Sequence, residues 1–189
     1  MAKEQAASFY IGCVLIGLQH LHEARVLYRA LAPELLFMSE SGYVQLADFR
    51  MAKRMGGTQR SYTMVGTPDF MAPEQVKGKG HGLAADVWGM GVLLHELVVG
   101  QSPFANAAAG GAGNNELDMY ETIVSHTKGS LGQRLPKDIS PELKDLLEKL
   151  LAPGEKERLW VLGATAHGIG AVRQHPWFKV SSRRKKAWP

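Results

Sequence analysis

Residues 86–99 read Asp-Val-Trp-Gly-Met-Gly-Val-Leu-Leu-His-Glu-Leu-Val-Val, and they constrain the fold more than any other stretch. On a helix of about 3.6 residues per turn, Trp88, Met90, Val92, Leu93, Leu94, Leu97, Val98 and Val99 surround the wheel instead of forming one stripe. Such a helix is stable in water only when other elements cover it on nearly every side. Gly100 stops it, because glycine reaches the left-handed conformation of a C-cap at little cost.

The covering elements can be read from the remaining periodicity. Residues 6–22 predict a helix with Tyr10, Val14, Gly17 and Leu21 on one face. Ser140-Pro141-Glu142 is a helix start, with serine as N-cap and proline in the first turn. Leu143, Leu146, Leu147, Leu150 and Leu151 form the apolar stripe of that helix. Leu35–Met38 and Tyr43–Leu46 flank Ser-Glu-Ser-Gly and predict a small β-hairpin. A polar loop runs from Arg50 to about Ser61. Alternating strand–helix units are missing, so the predicted class is mainly α with one small β-hairpin. Asn106–Asn115, rich in alanine, glycine and asparagine, is expected to be a flexible insertion in a domain spanning residues 1–180. Residues 181–189 form a basic tail.

Charge narrows the function classes. The 189 residues carry a formal charge of +4, and the run Arg183-Arg184-Lys185-Lys186 accounts for all of it, since 18 basic residues then face 18 acidic ones. No basic face for specific nucleic-acid binding is expected on the fold, although the tail leaves nuclear targeting, or nucleic-acid or anionic-lipid contact, open beside plain solvation. The single cysteine, Cys13, cannot close an intramolecular disulfide and fits a reducing, cytoplasmic setting. No apolar run is long enough to span a membrane, and the first twenty residues do not read as a signal peptide. The seven histidines form no metal-ligand spacing.

Chemistry concentrates at residues 26–50, which contain Tyr-Arg-Ala-Leu-Ala-Pro-Glu-Leu and, thirteen positions after Leu35, Asp48-Phe49-Arg50. Further on come Gly66-Thr67-Pro68, Ala72-Pro73-Glu74, Asp86-Val87-Trp88-Gly89-Met90-Gly91, Arg158 and His175-Pro176-Trp177-Phe178. In this order the motifs resemble the C-terminal lobe of eukaryotic protein kinases, closest to the cyclic-nucleotide-dependent AGC group. The fifteen positions from Asp48 to Thr63 favour the cGMP-dependent type.

The resemblance implies a degenerate catalytic loop, as in a pseudokinase. The family's base aspartate falls on Ala30, its loop lysine on Ala32, its metal-binding asparagine on Leu35 and the glycine after Asp-Phe on Arg50. Magnesium then depends on Asp48, and nucleotide contact on Glu34, Phe37 and Asp48, so ATP and Mg2+ are expected to bind weakly or not at all. Arg50 is expected to be strained at a glycine position, and its cation to pair with Asp48 and occupy the metal site. Thr63 falls at the activation-loop phosphoacceptor, with Arg29 and Lys53 as phosphate contacts; an unmodified loop threonine is the alternative. Glu34 and Glu96 match carboxylates that hold a basic residue of a peptide, with Met64, Pro68 and Met71 as an apolar wall; two solvated glutamates are the alternative. Glu74 with Arg158, and Asp86, are implied to be architecture.

Three functions follow from these residues. The first is a catalytically impaired lobe that binds a basic peptide or a partner kinase. The second is a serine/threonine kinase whose N-terminal lobe, with its glycine-rich loop and phosphate-holding lysine, or a regulatory subunit, is supplied outside these 189 residues. The third is a truncated gene product with no role.

Overall fold

The computed structural model describes residues 2–57, 59–105, 116–133, 135–158 and 172–182. The expected insertion at 106–115 and the basic run at 183–186 lie outside the described residues.

The apolar helix is at the centre. It spans Ala84–Val99 (α3), and 13 of its 16 residues are buried, so it is covered on all but its last turn. That turn corrects one expectation: Leu97 is 39% exposed, because the helix emerges from the core before it ends. Gly100, at φ 93°, caps it by donating its amide to the Glu96 carbonyl at 2.8 Å.

Two helices cover α3, and a third packs on those two. The first, Ala2–Glu23 (α1), buries Ala7, Ile11, Val14, Leu15 and Leu18. The expected face of Tyr10, Val14, Gly17 and Leu21 is displaced from this one: only Val14 is buried, and the other three are half-buried. Gly17 turns toward the hairpin instead, where a Cβ would come within 2.9 Å of Leu46 Cδ1. The helix Pro141–Leu150 (α5) starts where Ser140 accepts the Leu143 amide at 3.2 Å and lays Leu143, Leu146, Leu147 and Leu150 into the core. Pro176–Ser182 (α6) packs against α1 and α5. One carboxylate joins three helices here. Glu4 accepts the Ser140 amide at 3.0 Å, the Ser140 hydroxyl at 2.6 Å and the Trp177 indole N–H at 3.1 Å.

Two more helices are Pro73–Val76 (α2) and Glu116–Ser125 (α4). The hairpin is formed by Leu36–Met38 (β2) and Val44–Leu46 (β3), antiparallel, with Phe37 opposite Gln45. A second two-residue ladder pairs Val26–Leu27 (β1) with Lys53–Arg54 (β4) and closes residues 28–52 into a loop. The polar stretch after Arg50 therefore contains a strand that its composition does not announce. The architecture is helical with small antiparallel pairs beside α1.

Candidate functional site

The closed loop rests on α3 through one carboxylate. Asp86, in the first turn of α3 and 2% exposed, accepts the Tyr28 amide at 2.9 Å, the Arg29 amide at 2.8 Å and the His22 ring at 2.7 Å. These bonds hold Arg29 in the left-handed region at φ 62°. The turn points the backbone after Arg29 into the core, so Ala30 and Ala32 are 1% and 0% exposed. Neither offers a base or a cation. Leu35 is half-buried against the core and offers no oxygen ligand.

Asp48 follows the hairpin and is itself in the left-handed region, at φ 56° and ψ 79°. Strain expected at Arg50 is therefore found two residues earlier, and Arg50 lies in an ordinary 3-10 turn, Phe49–Met51. Aspartate tolerates this conformation better than most side chains. Its Oδ1 accepts the Arg50 amide at 3.2 Å and Nε at 2.7 Å, while Oδ2 takes Nη2 at 2.5 Å. Hydrogen bonds from the Arg50 side chain, then from its amide, hold the Asp48 carboxyl down at about 2. Tyr28 donates its hydroxyl to the Ala47 carbonyl, and its ring lies edge-on to Phe49 at 5.6 Å. Burial, reinforced by Asp48 and Asp86, raises the Tyr28 phenol to about 12.

The residues around Asp48 do not fit a divalent metal. Both oxygens already face the guanidinium, and among the described residues no three His, Cys, Asp or Glu side chains converge to hold an ion. Phe37, expected at the nucleotide, is 61% exposed on β2.

The segment after Asp48 is pinned at several points. Arg29 Nε donates to the Met51 carbonyl at 2.7 Å, and Nη1 reaches Ser61 Oγ at 3.0 Å and Thr63 Oγ1 at 3.5 Å. Thr63 is exposed, and Lys53 sits half-buried on β4. Ser61 and His81 exchange backbone hydrogen bonds at 2.9 and 2.8 Å. Arg60 Nη2 bonds the Gly80 carbonyl at 2.6 Å and Glu155 at 2.5 Å. Burial first, then the Arg29 cation, pushes the His81 imidazole down to about 4.

Three carboxylates lie close enough to feel one another's charge. Glu34 is exposed in the 3-10 turn Pro33–Leu35, and Glu96 is half-buried near the end of α3. Sequence reasoning missed a third member, Asp69. Burial and the Glu34 charge raise the Asp69 carboxyl, and burial, Glu34 and Asp69 raise that of Glu96. A lone acid after Pro68 carries no motif; only the fold brings it to the other two. Of the expected apolar wall, Met64 is 46% exposed and Pro68 half-buried. Met71 is 5% exposed and lines a small cavity with Arg29, Thr67 and Phe70.

Beneath the segment, Glu74 and Arg158 form two parallel bonds of 2.6 Å, and Arg158 lies 5.0 Å over the Trp88 ring.

A family profile described as protein kinase domain matches residues 1–178. The chain belongs to the protein kinase family. It is similar to the cGMP-dependent protein kinase isozyme 1 of Drosophila melanogaster, 37% identical over 176 residues that make up 93% of this chain and 21% of that protein. Protein kinase 3 of Dictyostelium discoideum is 37% identical over 187 residues, 94% of this chain and 19% of its own. Protein kinase 2 of the same organism is 37% identical over 93% of this chain and 33% of its own length. This kinase chain thus spans about a fifth to a third of the relatives it matches. No helix among its described residues is long and apolar enough to cross a membrane.

Proposed function

We propose that this kinase lobe is catalytically impaired and works as a binding module for a basic peptide or a partner kinase in the cytoplasm. The observation that carries the reading is the cluster of Glu34, Asp69 and Glu96 beside a loop that presents Ala30, Ala32 and Leu35. Asp69 and Glu96, raised by burial and then by neighbouring carboxylates, gain from a nearby cation, and a guanidinium meets a carboxylate with two parallel hydrogen bonds. Transfer of a phosphoryl group needs a positioned base and charge neutralisation, and buried methyl groups at positions 30 and 32 supply neither. Loss of a general base alone lowers a rate by about 10²–10⁴. Mg-ATP is not required for the peptide to bind. Thr63, within reach of Arg29, is the residue whose phosphorylation would tie the segment more tightly.

The test pairs two assays. Fluorescence anisotropy with an arginine-containing peptide should report binding that weakens at least about tenfold in a Glu34→Gln, Glu96→Gln variant. Phosphate transfer to the same peptide should be absent from the natural chain. Equal peptide binding by the variant removes the docking role, and transfer by the natural chain overturns the impairment.

A second reading has its own support: an active serine/threonine kinase completed by a lobe outside these residues. Phe37, Met38, Phe49 and Met51 are 61%, 53%, 52% and 40% exposed on the hairpin and the turn after it, a surface a second lobe would cover. Transfer restored by a co-expressed N-terminal lobe would favour it.

A further inference from the structure

The Asp48 carboxylate is closed from within its own turn. Arg50 approaches as a fork, with Nε on Oδ1 at 2.7 Å and Nη2 on Oδ2 at 2.5 Å, and its backbone amide adds a third bond to Oδ1 at 3.2 Å. The left-handed turn at Asp48 sets this up. It brings the side chain back over the amide two residues on, as a cap of the 3-10 turn Phe49–Met51. The guanidinium is therefore aimed by the backbone and does not depend on a chance surface encounter. We infer that Arg50 is the resident cation of Asp48 and takes the place of the divalent metal for which the family uses that carboxylate.

Two comparisons support the assignment. Calcium sites with full sets of oxygen ligands reach dissociation constants of only about 10⁻⁴–10⁻³ M at their weak end, and a single carboxylate is weaker still. The competing guanidinium is tethered two residues away, where effective concentrations are millimolar or above, and it is aligned for two charge-assisted bonds. Among the described residues Asp48 belongs to no group of three His, Cys, Asp or Glu side chains that could tip the balance toward an ion. The neighbouring position that would bring an amide oxygen is Leu35. Arg50 thus supplies the positive charge that keeps the turn in place without any ion, and the loop is pre-set with neither metal nor nucleotide. The inference concerns this turn alone; it stands or falls independently of the peptide-docking role.

The experiment uses the full chain, labelled for NMR and titrated with MnCl2, whose unpaired electrons broaden signals of nuclei near the bound ion. In the natural chain, broadening centred on Asp48 should require at least about ten times more Mn2+ than in Arg50→Gly. Arg50→Gln, which keeps side-chain length without the charge, gives the same readout should the glycine variant fail to fold. Asp48→Asn in either background should abolish the effect. The inference is overturned by equal Mn2+ sensitivity with and without Arg50. It is equally overturned by a natural chain that broadens first, or by no broadening at Asp48 in any of the proteins, since Arg50 would then be excluding nothing.

Discussion

The Arg158 guanidinium is fully buried and places all five of its N–H donors. Nε goes to the Ala152 carbonyl at 2.9 Å, Nη1 to Glu74 and the Ala84 carbonyl, and Nη2 to Glu74 and the Pro153 carbonyl. Removing it strands the Glu74 carboxylate, which is 8% exposed, together with three carbonyls. Arg158→Ala should cost about 3–5 kcal/mol, read from urea unfolding midpoints. Arg158→Lys should recover little, because an ammonium has three donors and no fork. A loss below about 1 kcal/mol for the alanine variant would mean that the pair is dispensable. His81 makes a second residue-scale prediction. It is 1% exposed, with Arg29 and Arg60 as neighbouring cations and Glu74 and Asp86 as opposing anions. Its folded pKa is depressed to about 4 from the ordinary 6.5, so between those values the unfolded chain binds the extra proton. Its contribution to stability is complete above about pH 6.5, declines as pH falls, and is exhausted near pH 4. Thermal midpoints should show that decline in the natural chain and a flatter profile in His81→Gln.

Among the elements, the α3–α5 crossing is set by a glycine. A Cβ on Gly91 would lie 2.9 Å from Leu150 Cβ and from Leu151 Cγ, closer than side chains pack. Alanine improves helix propensity by about 1 kcal/mol, but overpacking costs about 1–3 kcal/mol, and here the obstructing atoms are buried near the backbone. Gly91→Ala should therefore lower the thermal midpoint. An unchanged or raised midpoint would mean that the two helices separate freely. How much of this was legible in the sequence depends on how local each signal is. The continuous apolar run of α3 and the Ser140 cap of α5 are written in neighbouring residues, and both helices form where those signals lie. The β1–β4 ladder is not, because two-residue strands 27 positions apart carry no periodicity and are paired by the chain that returns between them. Motif spacing located the Asp48 turn and named Arg50 as its cation, yet it placed the strain on Arg50. Which residue takes the positive φ depends on how the turn is capped, and Asp48 caps it with its own side chain. Asp69 went unseen for a related reason: nothing beside it in the chain shows the field of Glu34.

At the scale of the whole molecule, the lobe has a covered core and an exposed apolar rim. Its core helix is covered and Asp86 and Arg158 have their partners, while Phe37, Met38, Phe49 and Met51 remain in water. Isolated apolar side chains on a surface are ordinary, but four on one hairpin and the turn that follows it favour association. Phe37 and Met38 suit a test because neither holds the interior: β2 contributes no buried residue. Burial of such a side chain gains about 1.5–3 kcal/mol, so covering both is enough to shift a weak self-association by about a hundredfold or more. Sedimentation velocity of the 189-residue chain should show sedimentation coefficients that rise with concentration, and Phe37→Ser with Met38→Ser should return it to a monomer with unchanged far-ultraviolet circular dichroism. If the natural chain stays monomeric across the micromolar range, the rim is not sticky by itself. If the double variant self-associates as strongly, the contact lies elsewhere. A monomeric variant that still binds the arginine-containing peptide would separate the two surfaces, the apolar one at the hairpin and the acidic one at Glu34, Asp69 and Glu96, as independent features of one lobe.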